Sequence, residues 1–315
     1  MRIQTMRLIR RILKALAYGT VGAVFVLIVV LVVYLDSRAD LHIWHLADLD
    51  EEFRADSGVG TFHEYLALEG RLFRQLDELV YQQVPAEQRR AINRYNRGSL
   101  SDPTRWRRNW NRSFELPAAS PTAGILLLHG MSDSPYSLRQ IGERLHAAGA
   151  HVLGMRMPGH GTAPSGLLDL KWQDMSAAVR LAMAHLSTQV GEKPIHIIGY
   201  STGAALAVLY ALDSAEDSAL PPVGRLVLLS PAIGVTPAAA FSVWQARLGH
   251  LLGMDKLAWN AILPEYDPFK YGSFAINAGD VVYELTIEIQ DRITDLGEAS
   301  KLELVSPILA FSSIV

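Results

Sequence analysis

Five short apolar runs recur between residue 123 and residue 315: AGILLLHG (123–130), AHVLGMRMPGHG (150–161), KPIHIIGYSTG (193–203), GRLVLLSPA (224–232) and SPILAFSSIV (306–315). Runs this short and this apolar suit strands of a parallel sheet buried on both faces. Helical stretches at about 134–148, 172–190 and 203–213 lie between them. Strand–helix alternation predicts an open α/β sheet, with functional loops at the carboxyl ends of its strands.

The N-terminus constrains the chain differently. Arg2, Arg7, Arg10, Arg11 and Lys14 precede any acidic residue, and residues 15–35 then run uncharged to Asp36. A helix of that length spans a hydrocarbon core of about 30 Å. The flank beyond is acidic (Asp36, Asp40, Asp48, Asp50). The positive-inside rule makes residues 1–14 a cytoplasmic tail, 15–35 a single-pass transmembrane anchor, and the rest extracytoplasmic (periplasmic). The apolar run is longer than the roughly 7–15 residues of a signal-peptide core. A cleaved signal peptide ending at Ser37-Arg38-Ala39 is the alternative.

Residues 36–112 read as a helical stalk. Phe62, Tyr65, Leu66, Leu72, Phe73 and Leu76 are spaced as on an amphipathic helix over 62–84, and Pro85 ends it. Residues 89–112 are rich in arginine, with Trp106 and Trp110 interleaved. They read as a solvated basic surface whose tryptophans pack on the main domain, with contact to anionic headgroups as the alternative. Nucleic acid would lie on the wrong side of the membrane, and a net charge of −3 suggests no polyanionic partner. The chain has no cysteine, which excludes disulfides, a thiol nucleophile and thiolate metal sites. His42 and His45 lack a carboxylate partner, so no metal site is read there.

Gly199-Tyr200-Ser201-Thr202-Gly203 fits G-x-S-x-G, directly after one apolar run and before a helical one. On a nucleophile elbow the serine hydroxyl sits exposed on a strained strand-to-helix turn. The helix beginning near Thr202 points free amides at the site, and a second donor comes from the loop after the first apolar strand. The amides of Met131 and Thr202 are therefore expected to form an oxyanion hole. By itself the pentapeptide also fits a turn without chemistry.

LLLHGMSDSPYSLR (126–139), RMPGHGTAP (156–164) and the elbow, in that order, resemble the α/β-hydrolase superfamily, in its serine aminopeptidase and monoacylglycerol-lipase-like (carboxylesterase) branch. The resemblance covers about residues 113–315. It implies an α/β-hydrolase fold with a mostly parallel sheet and a helical lid at about 233–304. It implies a serine hydrolase of esterase, lysophospholipase or monoacylglycerol-lipase type, acting on a small ester or lipid-like substrate through an acyl-enzyme on Ser201, without cofactor or metal. A serine aminopeptidase acting on amides, and a non-catalytic binding or scaffold protein on the same fold, are the alternatives. The lid's apolar residues, among them Phe241, Trp244, Leu257 and Trp259, read equally as an acyl-chain surface or as the lid's own core. Nothing sets the oligomeric state.

In that family the triad acid follows the strand after the lid, and the histidine follows the last strand. Of the ten histidines only His250 follows Ser201, and it sits in the lid. Asp213, Glu216 and Asp217 lie in or just after the nucleophile helix. His129 and His160 belong to motif loops and are read as structural. The triad acid and histidine are thus expected after Val315, with the last strand and helix missing. A chain so truncated would keep about 10³–10⁴ over water, against roughly 10⁹ for a full triad, and be nearly inactive.

Overall fold

The computed structural model describes residues 2–234, 254–299 and 301–312. They fall into two units, Met1–Asp40 and Leu41–Val315. The first is a single helix, α1 (Arg2–Ser37). Its stretch Arg10–Ser37 is apolar, and none of it is buried within the structure. Those 28 residues extend about 42 Å, enough by length and composition to cross a bilayer. An N-terminal signal sequence has the same properties.

The second unit opens with α2 (Ile43–Leu46) and α3 (Phe62–Leu79). Thr61 starts α3 with a capping box: its hydroxyl accepts the Glu64 amide, and the Glu64 carboxylate accepts the Thr61 amide. Most of the apolar stripe of α3 is buried. Phe62, Tyr65 and Leu68 enter the core under the sheet. Leu72, Phe73 and Leu76 close a second cluster with Trp44 and Tyr95. From Leu41 onward, then, the segment expected to be a separate stalk is part of the same unit as the sheet. The periodicity showed that α3 has a face to bury; the face is buried against the sheet's own helices. The tryptophans pack as expected, Trp106 edge-on to Phe269 and Trp110 edge-on to Phe114.

The sheet has six strands: β1 (Phe114–Leu116), β2 (Gly124–Leu128), β3 (His151–Met155), β4 (Ile195–Tyr200), β5 (Val223–Leu229) and β8 (Ile308–Phe311). Their order is β1-β3-β2-β4-β5-β8. β1 runs antiparallel to β3, and every other pair is parallel. β2 and β3 are buried along their whole length. Helices α4 (Arg139–Ala147), α5 (Trp172–Val190) and α6 (Thr202–Glu216) alternate with the strands. α6 is apolar around its circumference and buried from Thr202 to Asp213. Such a helix needs cover on all sides, and α5 and the late helix α7 (Ile276–Glu298) contribute to it.

Between β5 and β8 the described part of the expected lid holds a short antiparallel pair, β6 (Trp259–Ala261) with β7 (Phe274–Ala275), and then α7. Leu257 and Trp259 are buried, so these two serve as core. Phe241, Trp244 and His250 lie outside the described residues. The last apolar run forms β8, in register with β5 from Leu226↔Ile308 to Leu229↔Phe311.

Candidate active site

β4 and α6 meet at Ser201, whose backbone lies at φ 54° and ψ −116°. A non-glycine residue in this region carries strain of order 1–3 kcal/mol, typical of functional turns. The two flanking glycines explain how the turn is made. A Cβ on Gly203 would lie 2.2 Å from the Leu128 carbonyl oxygen, and one on Gly199 would lie 2.5 Å from the Ala204 Cα. Only glycine permits strand, turn and helix to pass this closely. The Ser201 amide donates to the Leu229 oxygen at 2.9 Å, fixing the turn to β5. The Ser201 hydroxyl does not cap α6, and its residue lines a cavity of about 350 Å³.

The loop after β2 closes over the elbow. A Cβ on Gly130 would come within 3.0 Å of the Tyr200 ring and 3.2 Å of the Ser201 Cβ. Met131 and Thr202 both line the cavity with Ser201. Thr202 is the first residue of α6, where amides have no helical acceptor and the dipole is positive. Met131, Phe274 and Val282 supply apolar surface, and Asp133 and Lys270 are the charged lining residues. No histidine lines the cavity among the described residues.

The two motif histidines build the loops. His129 Nε2 accepts the Met157 amide at 3.1 Å, so its proton sits on Nδ1, which donates to the Gly130 oxygen at 2.9 Å. Burial, reinforced by His160, holds its pKa well below the ordinary value. His160 Nδ1 donates to the Pro158 oxygen at 2.8 Å, and burial pushes its pKa down to about 4. A neutral ring with both nitrogens engaged, as in His129, is no base for Ser201. On α6, Asp213 pairs with Arg180 at 2.6 Å and Glu216 with Arg292 at 3.3 Å. They sit 12–15 residues down the helix, roughly 20 Å from the elbow. Among the described residues no cluster of three ligand-type side chains could hold a metal.

The Pro-Gly-His-Gly loop is locked by a buried charge. Arg156 is fully buried. Its guanidinium grips the Glu52 carboxylate with two bonds, 3.0 and 2.9 Å, and donates from Nε to Glu69 at 3.2 Å. It also donates to the His160 oxygen at 3.0 Å. Glu52 accepts the Gly159 amide at 2.9 Å, and the Tyr65 hydroxyl donates to the Arg156 oxygen at 2.6 Å. Glu52, Tyr65 and Glu69 all come from the N-terminal segment. Tyr271 ties in the other side: its hydroxyl accepts the Thr162 amide at 2.8 Å and donates to the Gly159 oxygen at 3.2 Å. Its amide donates to the Ser132 oxygen at 2.9 Å.

Asp133 and Lys270 are the site residues that sequence reasoning missed. Asp133 stood within a quoted motif, but nothing local marks it as buried; Lys270 carried no signal. Burial pushes the Asp133 carboxyl up to about 6, against the pull of Lys270 and with a push from Asp267. The Lys270 ammonium stands 4.0 Å from it.

A family model described as serine aminopeptidase, S33, matches residues 119–266. A thermostable monoacylglycerol lipase of Bacillus sp. (strain H-257) is 28% identical over 110 residues, which are 35% of this chain and 43% of that one. The match thus spans less than half the length of this relative. Among solved structures, one from a report on the metagenome-derived lipolytic enzymes LipS and LipT is 20% identical, covering 64% of this chain and 75% of that one, with a TM-score of 0.47. The monoacylglycerol lipase of Paleococcus ferrophilus is 18% identical over 64% and 88%, with a TM-score of 0.42. The elbow at Ser201 and the loop after β2 both lie within the region that this family model matches.

Proposed function

We propose that this chain is a membrane-anchored serine hydrolase that cleaves carboxylic esters of lipid-like substrates through an acyl-enzyme on Ser201. The observation that carries this reading is the strained backbone of Ser201 on a glycine-framed turn, opening into a cavity lined also by Met131 and Thr202. In the proposed reaction Ser201 Oγ attacks the ester carbonyl carbon, and the developing oxyanion accepts the amides of Met131 and Thr202. The alcohol leaves with a proton, and water then releases the acid and restores the serine. Each oxyanion donor is worth about 10²–10³ in turnover. Neither His129 nor His160 takes the proton of Ser201. The monoacylglycerol lipase relative supports a lipid-like ester, and the apolar wall of Met131, Phe274 and Val282 suits an acyl chain.

Residues 15–35 serve as the anchor in this reading, with the basic tail cytoplasmic and the catalytic unit, about 113–315, on the periplasmic side. A reporter active only outside the cytoplasm, fused after residue 60, then gives signal. Activity from a cytoplasm-restricted reporter alone would refute the topology.

A non-catalytic binding protein on the same fold is the second reading, favoured by the lack of a histidine among the described lining residues. Labelling the full chain with a fluorophosphonate separates the two. Covalent capture that Ser201→Ala abolishes supports the hydrolase; an unreactive serine in folded protein supports the binder. Parallel turnover of short acyl esters and aminoacyl amides then decides between esterase and aminopeptidase.

A further inference from the structure

Lys270 and Phe274 put the segment 263–274 on the rim of the Ser201 cavity. The N-terminal segment frames that rim along its length. The Arg94 amide donates to the Glu265 oxygen at 2.9 Å, and the Ser101 hydroxyl donates to the Tyr266 oxygen. Asn111 Nδ2 donates to the Pro268 oxygen at 2.9 Å, and Trp106 meets the Phe269 ring edge-on at 4.9 Å. At the start of the unit, His45 Nε2 bonds the Ser273 hydroxyl at 2.9 Å. His45 Nδ1 accepts the His42 amide, so Nε2 donates, and this pair is a structural clasp rather than a second nucleophile.

The outer surface of the rim is both greasy and basic. Leu263 and Tyr266 are 51% and 61% exposed, and Leu100, beside the Ser101–Tyr266 bond, is 63% exposed. On the same two segments Arg105, Arg107, Arg108 and Lys270 are exposed; Arg105 donates to the Ser99 oxygen at 3.3 Å, and the three arginines enter no ion pair among the described residues. Arg108 lies over the Trp110 ring. Asp267 faces the same segment, with its carboxylate accepting the Phe269 and Lys270 amides. Exposed apolar side chains on segments that also carry exposed arginines without an ion pair and half-buried tryptophan are the make-up of surfaces that sit in a headgroup layer.

We propose that this rim docks on an anionic phospholipid surface, with Leu100, Leu263 and Tyr266 entering the headgroup layer and Arg105, Arg107 and Arg108 meeting lipid phosphates. The cavity then opens onto the bilayer, and the substrate class is an ester resident in that membrane. This rests on the hydrolase reading of Ser201.

Hydrogen exchange on the full chain in nanodiscs tests the docking. Discs of phosphatidylcholine are compared with discs containing phosphatidylglycerol. Residues 100–108 and 263–270 are expected to exchange about tenfold or more slowly in the anionic discs. The protection is lost in the Arg105→Gln/Arg107→Gln/Arg108→Gln variant, for which about a hundredfold weaker binding is expected, while α5 exchanges as in the parent. Raised salt on the parent protein must also remove it, which keeps the test intact should the variant fold poorly. Equal exchange in both discs, or protection that survives both salt and the triple variant, would overturn the proposal. Free exchange along α1 refutes the anchor alone, and loss of fluorophosphonate capture refutes the hydrolase reading alone; the two rim segments report on docking in either case.

Discussion

The elbow at Ser201 and the loop at Arg156 follow β4 and β3, the two strands that flank β2, yet they are held in different ways. The elbow is built within five residues. Two glycines admit the close passage, the α6 amides begin at Thr202, and one bond to Leu229 fixes the turn. The Arg156 loop is built by residues about a hundred positions away, with Glu52 and Glu69 delivering two carboxylates to one guanidinium and the Tyr65 hydroxyl donating to the Arg156 carbonyl oxygen. The first arrangement accepts strain to present a hydroxyl. The second contributes an ion cluster that is favourable only while every partner is present. The candidate nucleophile thus stands on a locally encoded turn, whereas the Arg156 loop is held by a segment outside the matched family region.

The largest effect expected from this contrast is at Arg156. Arg156→Met removes the guanidinium and leaves Glu52 and Glu69 without their cation in a buried site. Removing one partner of such a cluster costs about 3–5 kcal/mol. Urea unfolding of the purified variant measures it, and the loss should reach the elbow as weaker fluorophosphonate capture. A variant as stable as the parent would show that the N-terminal segment is a dispensable cover.

That contrast also sets what the sequence could disclose. The strands at 123–128, 150–155, 195–200 and 224–229 and the helix at 172–190 were legible, because apolar runs and turn residues are local signals. The strand-to-helix turn at Ser201 was legible for the same reason. The three residues of β1 were too few to show a pattern. The amphipathic face of α3 was visible, but not the surface that receives it, so residues 41–112 read as a stalk. The pairing of Glu52 with Arg156 spans 104 positions and leaves no periodic trace. Asp133 and Lys270 converge through the turn at Ser132 and the segment 263–274, both set by tertiary contacts.

A smaller effect is expected beside the elbow, at Asp133. Its carboxyl is raised from an ordinary 3.8 to about 6 in the folded chain. Between those values the folded state holds a proton that the unfolded state has released. Stability therefore falls as pH rises through that window and stays lower above it. Asp133→Asn removes the cost of an ionised buried carboxylate. The variant should be more stable than the parent by about 2 kcal/mol at pH 7.5 and nearly equal to it at pH 4. The check is the difference in urea midpoint at the two pH values. An equal difference at both would mean that Asp133 acts through packing rather than charge.

The smallest expected effect isolates the strain in the elbow itself. Ser201 at φ 54° and ψ −116° occupies a region where a Cβ is unfavourable and glycine is at ease. Ser201→Ala and Ser201→Gly both delete the hydroxyl, so both should lose fluorophosphonate capture. They differ in the Cβ. The alanine variant keeps the strain and the glycine variant releases it, at the expense of a more flexible unfolded chain. Of the 1–3 kcal/mol such a conformation costs, about 1 kcal/mol should remain as a net advantage of the glycine variant over the alanine variant. Thermal unfolding of the two proteins side by side measures it, because their shared loss of the hydroxyl cancels. A glycine variant less stable than the alanine variant would mean that the turn is relaxed as built. The elbow would then hold its serine by packing, as the Arg156 loop holds its arginine by charge, and not by stored strain.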